Sequence, residues 1–319
     1  MNRFPCRSLT AAFVVLILFT LGVAPEGAEP PAVRGADLSE LWMEPPPNRD
    51  LFYGVGGASL APDPKETYKV IEIKAAGYSR GYTVVDSKKR EWSVKFPPEG
   101  HSEIVASRLL WAIGYHQPPI YFLADWTAKG GKGGNPQRGA RFREKKPDFH
   151  DLDDKDSWSY YDNPFENTKE MRALLVFHAM LGNSDLKEKQ NVLYELDRPF
   201  EGARRWYVAR DLGQTFGRTG LLNPPRADAE AFAESGFIAG TTGDRVTLDY
   251  SGRHKKLFDN IRKSDVIWLC SRLAKLSDKQ LLDAFRAGGY DAAEAAPFIT
   301  TFKAKVAQGL ALASAEKNP

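Results

Sequence analysis

Cysteine is nearly missing: 319 residues carry two, Cys6 and Cys270. Cys6 falls in the N-terminal segment described below, so the body has one thiol and no internal disulfide framework is available to it. Cys270 closes Val266-Ile267-Trp268-Leu269-Cys270, an apolar helical context, and reads as an inert core residue. The five histidines, His101, His116, His150, His178 and His254, show no His-x-x-x-His or His-Glu pairing, which leaves no zinc-hydrolase motif. His178 lies within an apolar helical stretch and reads as core. No Gly-x-Ser-x-Gly occurs, so the nucleophile elbow of an α/β-hydrolase is absent. No internal repeat with a period of about 20–50 residues is visible, which excludes solenoids and propellers. A strong charge of one sign is lacking too. The formal net charge is +3, so the average surface is not a nucleic-acid footprint and no nucleic-acid partner is expected.

What is present is an ordinary core. Hydrophobic residues make up 42% and charged residues 27%, with seven Trp among 12% aromatics, a composition that supports burial rather than disorder. Arg3 and Arg7 precede an apolar run over 9–24, followed by small residues. That pattern predicts a signal peptide or an uncleaved membrane anchor over 1–28, either of which sends the body across a membrane to a periplasmic or extracellular location. Residues 29–50, with Pro45-Pro46-Pro47, read as a linker.

From residue 51 the texture is β-like. Tyr68-Lys69-Val70-Ile71-Glu72-Ile73-Lys74, Tyr82-Thr83-Val84-Val85 and Glu91-Trp92-Ser93-Val94-Lys95-Phe96 alternate at period two, and Asp86-Ser87-Lys88-Lys89 predicts a hairpin turn. A helix is expected over 102–113, capped by Ser102 and stopped by Gly114, then a strand over 120–123. Residues 127–147 combine Gly130-Gly131, Gly133-Gly134 and many Lys and Arg, and predict a flexible basic loop, either a solvated insertion or a flap over phosphate or an acidic partner. Beyond it come a helix over 168–181, a hairpin of 191–196 with 206–209, and amphipathic helices over 255–276, 278–287 and 296–313. The outline is α+β: a β-rich part at 51–126 and a mainly helical part at 148–319.

Four features carry chemistry. Lys95 ends a strand between apolar neighbours, where its amine can neutralise nucleotide phosphates. Glu103, eight positions on, can pair with it from the next helix. Gly182 to Asn191 then places Asp185, Lys187 and Asn191 on an irregular segment between a helix and a strand, the kind of rigidly supported loop that carries catalytic groups. Phosphoryl transfer needs an Asp to orient the attacking hydroxyl, a cation near the transferred group and an oxygen ligand for Mg²⁺. Last, Arg210-Asp211-Leu212-Gly213 puts a carboxylate at a strand end, suited to a hard cation.

In this order the parts resemble the protein-kinase-like superfamily: Lys directly after Val94 at a strand end, Glu in the next helix, Asp-Leu-Lys and Asn before a hairpin, and Asp-Leu-Gly after it. The branch resembled is that of the HipA-type, phosphatidylinositol-kinase-type and secreted atypical kinases. The resemblance covers about 68–217. It implies a bilobal protein-kinase-like fold with a β-rich N-lobe and a helical C-lobe. It also implies ATP and Mg²⁺ as cofactors and a hydroxyl on a protein, lipid or small molecule as acceptor. By position, Lys95 would contact phosphates, Glu103 would hold it, Asp185 and Lys187 would be catalytic, and Asn191 and Asp211 would bind the metal. The glycine-rich loop would be Gly77-Tyr78-Ser79-Arg80-Gly81, with Gly77 and Gly81 against the nucleotide. Asn191 stands six positions after Asp185, where five is the family's usual interval. Ser184 replaces a His or Arg, and no Ala-Pro-Glu follows, which points away from ordinary Ser/Thr kinases. A kinase-shaped binding or scaffolding protein without catalysis is the alternative.

Overall fold

The computed structural model describes residues 37–74, 78–132, 134–145, 149–151 and 158–315. The expected signal segment and Gly77 lie outside them. Among the described residues, no helix is long and apolar enough to cross a membrane.

The elements run β1 (Thr67–Lys74), β2 (Gly81–Val85), β3 (Glu91–Lys95), α1 (Glu99–Ala112), β4 (Ile120–Leu123), β5 (Thr127–Lys129), β6 (Ala140–Glu144), β7 (Phe149–Asp151), α2 (Lys169–Met180), β8 (Asn191–Phe200), β9 (Ala203–Ala209), α3 (Ala229–Glu234), β10 (Ile238–Thr242), β11 (Arg245–Leu248), α4 (Lys263–Leu273), α5 (Asp278–Ala287) and α6 (Ala292–Ala315). Six strands form one sheet in the order β4-β6-β3-β2-β1-β5. Its pairs are antiparallel except β1 with β5. The sheet curls around an aromatic core of Tyr68, Tyr82, Trp92, Trp126 and Phe142. Trp126 meets Phe142 edge-on at 5.1 Å between centroids. Truncating one such buried ring typically costs about 3–5 kcal/mol. The helices pack on a second, larger core that includes α1, α2, α4 and α6. The molecule is thus the expected α+β, bilobal arrangement, a β-rich N-lobe followed by a mainly helical C-lobe.

α1 is the hinge of the design. Instead of showing one apolar face, it is buried on nearly every residue from Gly100 to Ala112, because the sheet covers one side and α5 another. It also begins three residues earlier than its sequence suggests. Ser102 is therefore not a cap; its hydroxyl donates to the carbonyl of Gly213 at 2.7 Å.

Three other expectations change. Residues 37–50 are packed chain rather than linker. Leu41 is fully buried, and the Trp42 indole donates to the Ile113 carbonyl at 2.7 Å. Arg49 lies 4.3 Å over the Trp111 ring. The chain turns at Pro47 and Asn48, and Leu51 and Val55 then join the core with Leu41. Residues 127–147 are not one flexible loop either. They hold β5 and β6, and β6 is inserted between β4 and β3 with Ala140, Arg141 and Phe142 buried. The run over 255–276 is interrupted: His254 adopts a left-handed φ of 55° before a short 3-10 turn. The β11 edge then draws the chain out, with Val246 N–H donating to the Ile261 carbonyl at 2.9 Å, before α4 starts.

Candidate phosphotransfer site

The upper wall of the cleft comes from β3, β6 and α1. Lys95 ends β3, and cross-strand pairing sets Arg141 of β6 directly opposite it. Residues directly opposite share a face, so both cations point to Glu103, which α1 presents at 3% exposure. Lys95 Nζ lies 2.9 Å from Glu103 Oε2, and Arg141 Nη2 lies 3.2 Å from Oε1. Arg143, two residues along the same face, stands 4.0 Å from Oε1. Burial opposes ionisation of Glu103, but Arg141 and then Lys95 overcome it and hold the carboxyl below its usual range. Burial alone would discharge Lys95; Glu103 and Asp211 outweigh it and raise its pKa. Arg143 is pushed down to about 10 by burial, with Arg210 and Arg141 adding repulsion.

Asp211 faces this wall from the end of β9. Lys95 Nζ bonds its Oδ1, so one ammonium joins the α1 carboxylate to the Asp-Leu-Gly carboxylate. Asp211 sits at a left-handed φ of 62°, a conformation that costs a non-glycine residue about 1–3 kcal/mol and collects at functional sites. Burial would raise its pKa, yet Lys95, with Arg141 and Arg143 behind it, holds the carboxyl well below the usual range. Gly213 lets the following turn touch α1: a Cβ there would stand 2.7 Å from Glu99 Cβ. The Ser102–Gly213 bond fastens the same turn.

The lower wall is the loop after α2. His178 is buried and neutral, its pKa pushed down to about 3 by burial. Asn183 donates from Nδ2 to His178 Nδ1 at 3.1 Å. Nδ1 is therefore the acceptor, and Nε2–H faces the Tyr160 hydroxyl at 3.0 Å. Asn183 Oδ1 accepts the N–H of Asp185 at 3.1 Å, so the α2 core sets the position of that aspartate. Asp185 Oδ2 receives Lys187 Nζ at 2.8 Å and Gln190 Nε2 at 3.1 Å. Arg253 stands 3.6 Å from the other oxygen, Oδ1.

Gln190 also donates to Asp211 Oδ2 at 3.0 Å. One carboxamide thus spans both aspartates. It lies at the fifth position after Asp185, the interval noted above. Asn191, expected to face the metal, begins β8 and points elsewhere: it is 2% exposed and donates to the Trp158 carbonyl at 3.2 Å. Gln190 closes a short 3-10 turn and Asn191 opens β8, and of the two amides only Gln190 reaches the aspartates. Lys95, Glu103, Asp185, Lys187 and Asp211 are brought together; Asn191 is not. Gly81 starts β2 opposite Lys95, and the chain approaches there so closely that a Cβ would overlap the Val94 carbonyl.

Sequence reasoning missed Gln190, Arg141, Arg143 and Arg226. The alternation Ala140-Arg141-Phe142-Arg143-Glu144 was a usable strand signal, masked by its glycine-rich surroundings. Arg226 gave none: it pairs with Glu99 and lies 3.8 Å over the Tyr78 ring, linking the segment after Asp-Leu-Gly to the β1–β2 loop.

The donor set suits Mg²⁺. Among the described residues, no three His, Cys, Asp or Glu side chains converge on a metal position. Mg²⁺ is typically held by one or two carboxylates together with substrate phosphates and water, and the Asp211 carboxylate, held ionised by Lys95, meets that requirement.

No family model matches the chain, and no curated protein matches it in sequence. Among solved structures, it is similar to the Helicobacter pylori proinflammatory kinase CtkA, at 11% identity and a TM-score of 0.47, covering 77% of this chain and 96% of that one. It is also similar to a chain of the Shewanella oneidensis MR-1 toxin–antitoxin complex of HipA, HipB and operator DNA, at 12% identity and a TM-score of 0.35, covering 76% of this chain and 65% of that one. Both neighbours are atypical protein-kinase-like proteins.

Proposed function

We propose that the chain is an ATP- and Mg²⁺-dependent phosphotransferase of the atypical kinase type, exported, that moves the γ-phosphate to a hydroxyl acceptor. The observation that carries this reading is the bridge of Gln190 between Asp185 and Asp211, with Lys95 bonded to Asp211 on the opposite wall.

Each residue then has a task. Lys95, charged and held by Glu103, receives the phosphate oxygens nearer the nucleoside. Asp211, with Gln190 beside it, would hold Mg²⁺, which when bound neutralises charge on the phosphates. Asp185 uses Oδ2 for Lys187 and Gln190. Its Oδ1, 3.6 Å from Arg253, orients the acceptor hydroxyl and takes its proton as the oxygen–phosphorus bond forms and the bond to the leaving phosphate breaks. Lys187 places a positive charge beside the transferred group. Catalysis of this kind is chiefly positioning and charge neutralisation.

Thermal unfolding of the full chain with and without Mg·ATP tests the reading, with Asp211→Ala as control. Ligand at about 100 times its dissociation constant adds about 2.7 kcal/mol. A magnesium-dependent shift that disappears in the control is expected. No shift with any of several nucleotides would leave a kinase-shaped binding protein.

A further inference from the structure

The segment after β11 reads Arg253-His254-Lys255-Lys256, and the fold sets it beside the candidate catalytic aspartate. Arg253 N–H donates to the Ser184 carbonyl at 3.1 Å, and its guanidinium lies 3.6 Å from Asp185 Oδ1. Gly252 permits this approach, since a Cβ there would overlap Ser184. His254 meets Tyr161, Nδ1 to hydroxyl, at 3.3 Å. Tyr161 in turn lines a cavity of about 490 Å³ whose wall also holds Tyr160, Arg172, Arg245, Lys256 and Arg262. Glu166 is the one carboxylate in that wall. An unbroken series of contacts therefore leads from Asp185 through Arg253 and His254 into this groove.

The cations are not equivalent. Arg172 is bound to the Asp265 carboxylate at 2.8 Å, and Arg245 donates to the Asp259 backbone carbonyl and the Asn260 side-chain oxygen. Both are structural. Lys255 and Lys256 are exposed and have no carboxylate partner among the described residues. Arg262 is 62% exposed, with its nearest carboxylate, Asp244, at 4.0 Å. Lys256 and Arg262 thus face a concave, tyrosine-lined groove, with exposed Lys255 beside Lys256 in the chain segment that leads from it to Asp185. Such a groove attracts negative charge and lowers the local concentration of basic partners.

We propose that this face docks an acidic polypeptide segment, whose serine, threonine or tyrosine hydroxyl is delivered to Asp185. The identity of that hydroxyl as phosphate acceptor rests on the phosphotransfer reading; the docking itself does not. A concave groove with aromatic walls fits a chain better than a flat lipid surface.

Fluorescence anisotropy on the full chain, without nucleotide, tests it with two labelled peptides: a serine flanked by glutamates, and the same serine flanked by lysines. The acidic peptide is expected to bind, the basic one not. Affinity should fall as salt rises. The double variant Lys255→Glu/Lys256→Glu should weaken acidic-peptide binding by about tenfold or more while leaving the Mg·ATP thermal shift unchanged. Arg262→Glu, a second exposed position, should weaken it in the same direction. Equal binding of both peptides, or full affinity in the double variant, overturns the proposal. So does preferential capture by phosphatidylserine vesicles with no peptide binding. Loss of the Mg·ATP shift in the wild-type chain, with peptide binding intact, sinks the phosphotransfer reading and leaves the docking surface standing.

Discussion

The two walls of the cleft are built on different physical terms. On the upper wall, Lys95, Arg141 and Glu103 are locked inside the sheet and α1, and Arg141 and Glu103 are almost fully buried. On the lower wall, Asp185 and Lys187 stand on a loop with side chains 21% and 42% exposed. A buried ion-pair cluster costs several kcal/mol to desolvate and is repaid only while every member is present. An exposed pair contributes about 0–1 kcal/mol. The upper wall is therefore a rigid, charge-dense frame, whereas the lower wall is a more exposed loop that can adjust to the proposed acceptor. Substitutions should separate the two: stability losses above, activity losses below.

The largest expected effect lies on the lower wall. Asp185→Asn should reduce phosphotransfer by about 10²–10⁴-fold while the Mg·ATP thermal shift persists. Unchanged turnover would remove Asp185 from the chemistry. On the upper wall, Glu103→Gln leaves Lys95 and Arg141 without their shared carboxylate. It should destabilise the fold by about 3–5 kcal/mol in urea denaturation, and a loss no larger than that of a surface substitution would break the comparison.

Acid probes the joint between α2 and the lower wall. His178 stays neutral in the folded protein down to about pH 3, whereas in the unfolded chain it takes a proton below about pH 6.5. The unfolded state then binds more protons, so stability falls as pH drops through that window, by about 3 kcal/mol at pH 4. Chemical denaturation across pH 4–7 should show this slope, and His178→Gln should flatten it. Asp211 and Glu103, both with depressed pKa values, add stability that is present above about pH 4 and is lost only in stronger acid.

The neighbouring amides offer a smaller contrast. Asn191→Ala orphans the Trp158 carbonyl and should cost about 1–3 kcal/mol of stability. Gln190→Ala should change stability less but raise the magnesium concentration needed for the nucleotide shift. The reverse pattern would restore Asn191 as the metal-side amide. Lys187→Ala is the mildest for stability, at about 0–1 kcal/mol, with its loss seen in turnover instead.

Local pattern made much of this legible. The alternation through Val94 and Lys95, the apolar stretch into Gly182, and Asp211 before Leu212-Gly213 identified the elements and the acidic groups. These signals are short-range, and each depends on residues within one strand, helix or turn. The composition of 127–147 misled, because glycine and basic residues usually report solvent. Here β6 is an interior strand between β4 and β3, and its two arginines are answered by Glu103. Ser102 misled in the same way: its cap-like position was real in sequence, yet α1 starts earlier and its hydroxyl reaches Gly213 instead.

The sequence by itself determined that a β-rich half precedes a helical half and that Lys95, Glu103, Asp185, Lys187 and Asp211 follow one another in a chemically meaningful order. Periodicity and residue chemistry are written along the chain. Tertiary structure alone decided that Gln190 rather than Asn191 spans the aspartates, because the chain leaves a 3-10 turn at Gln190 and enters β8 at Asn191, which turns the two amides to different surroundings. It alone brought Arg141 across from β6 to Glu103, and Arg253 across from a distant turn to Asp185. Contacts between positions so far apart depend on how the sheet and helices close around two shared cores, and no local pattern encodes that closure.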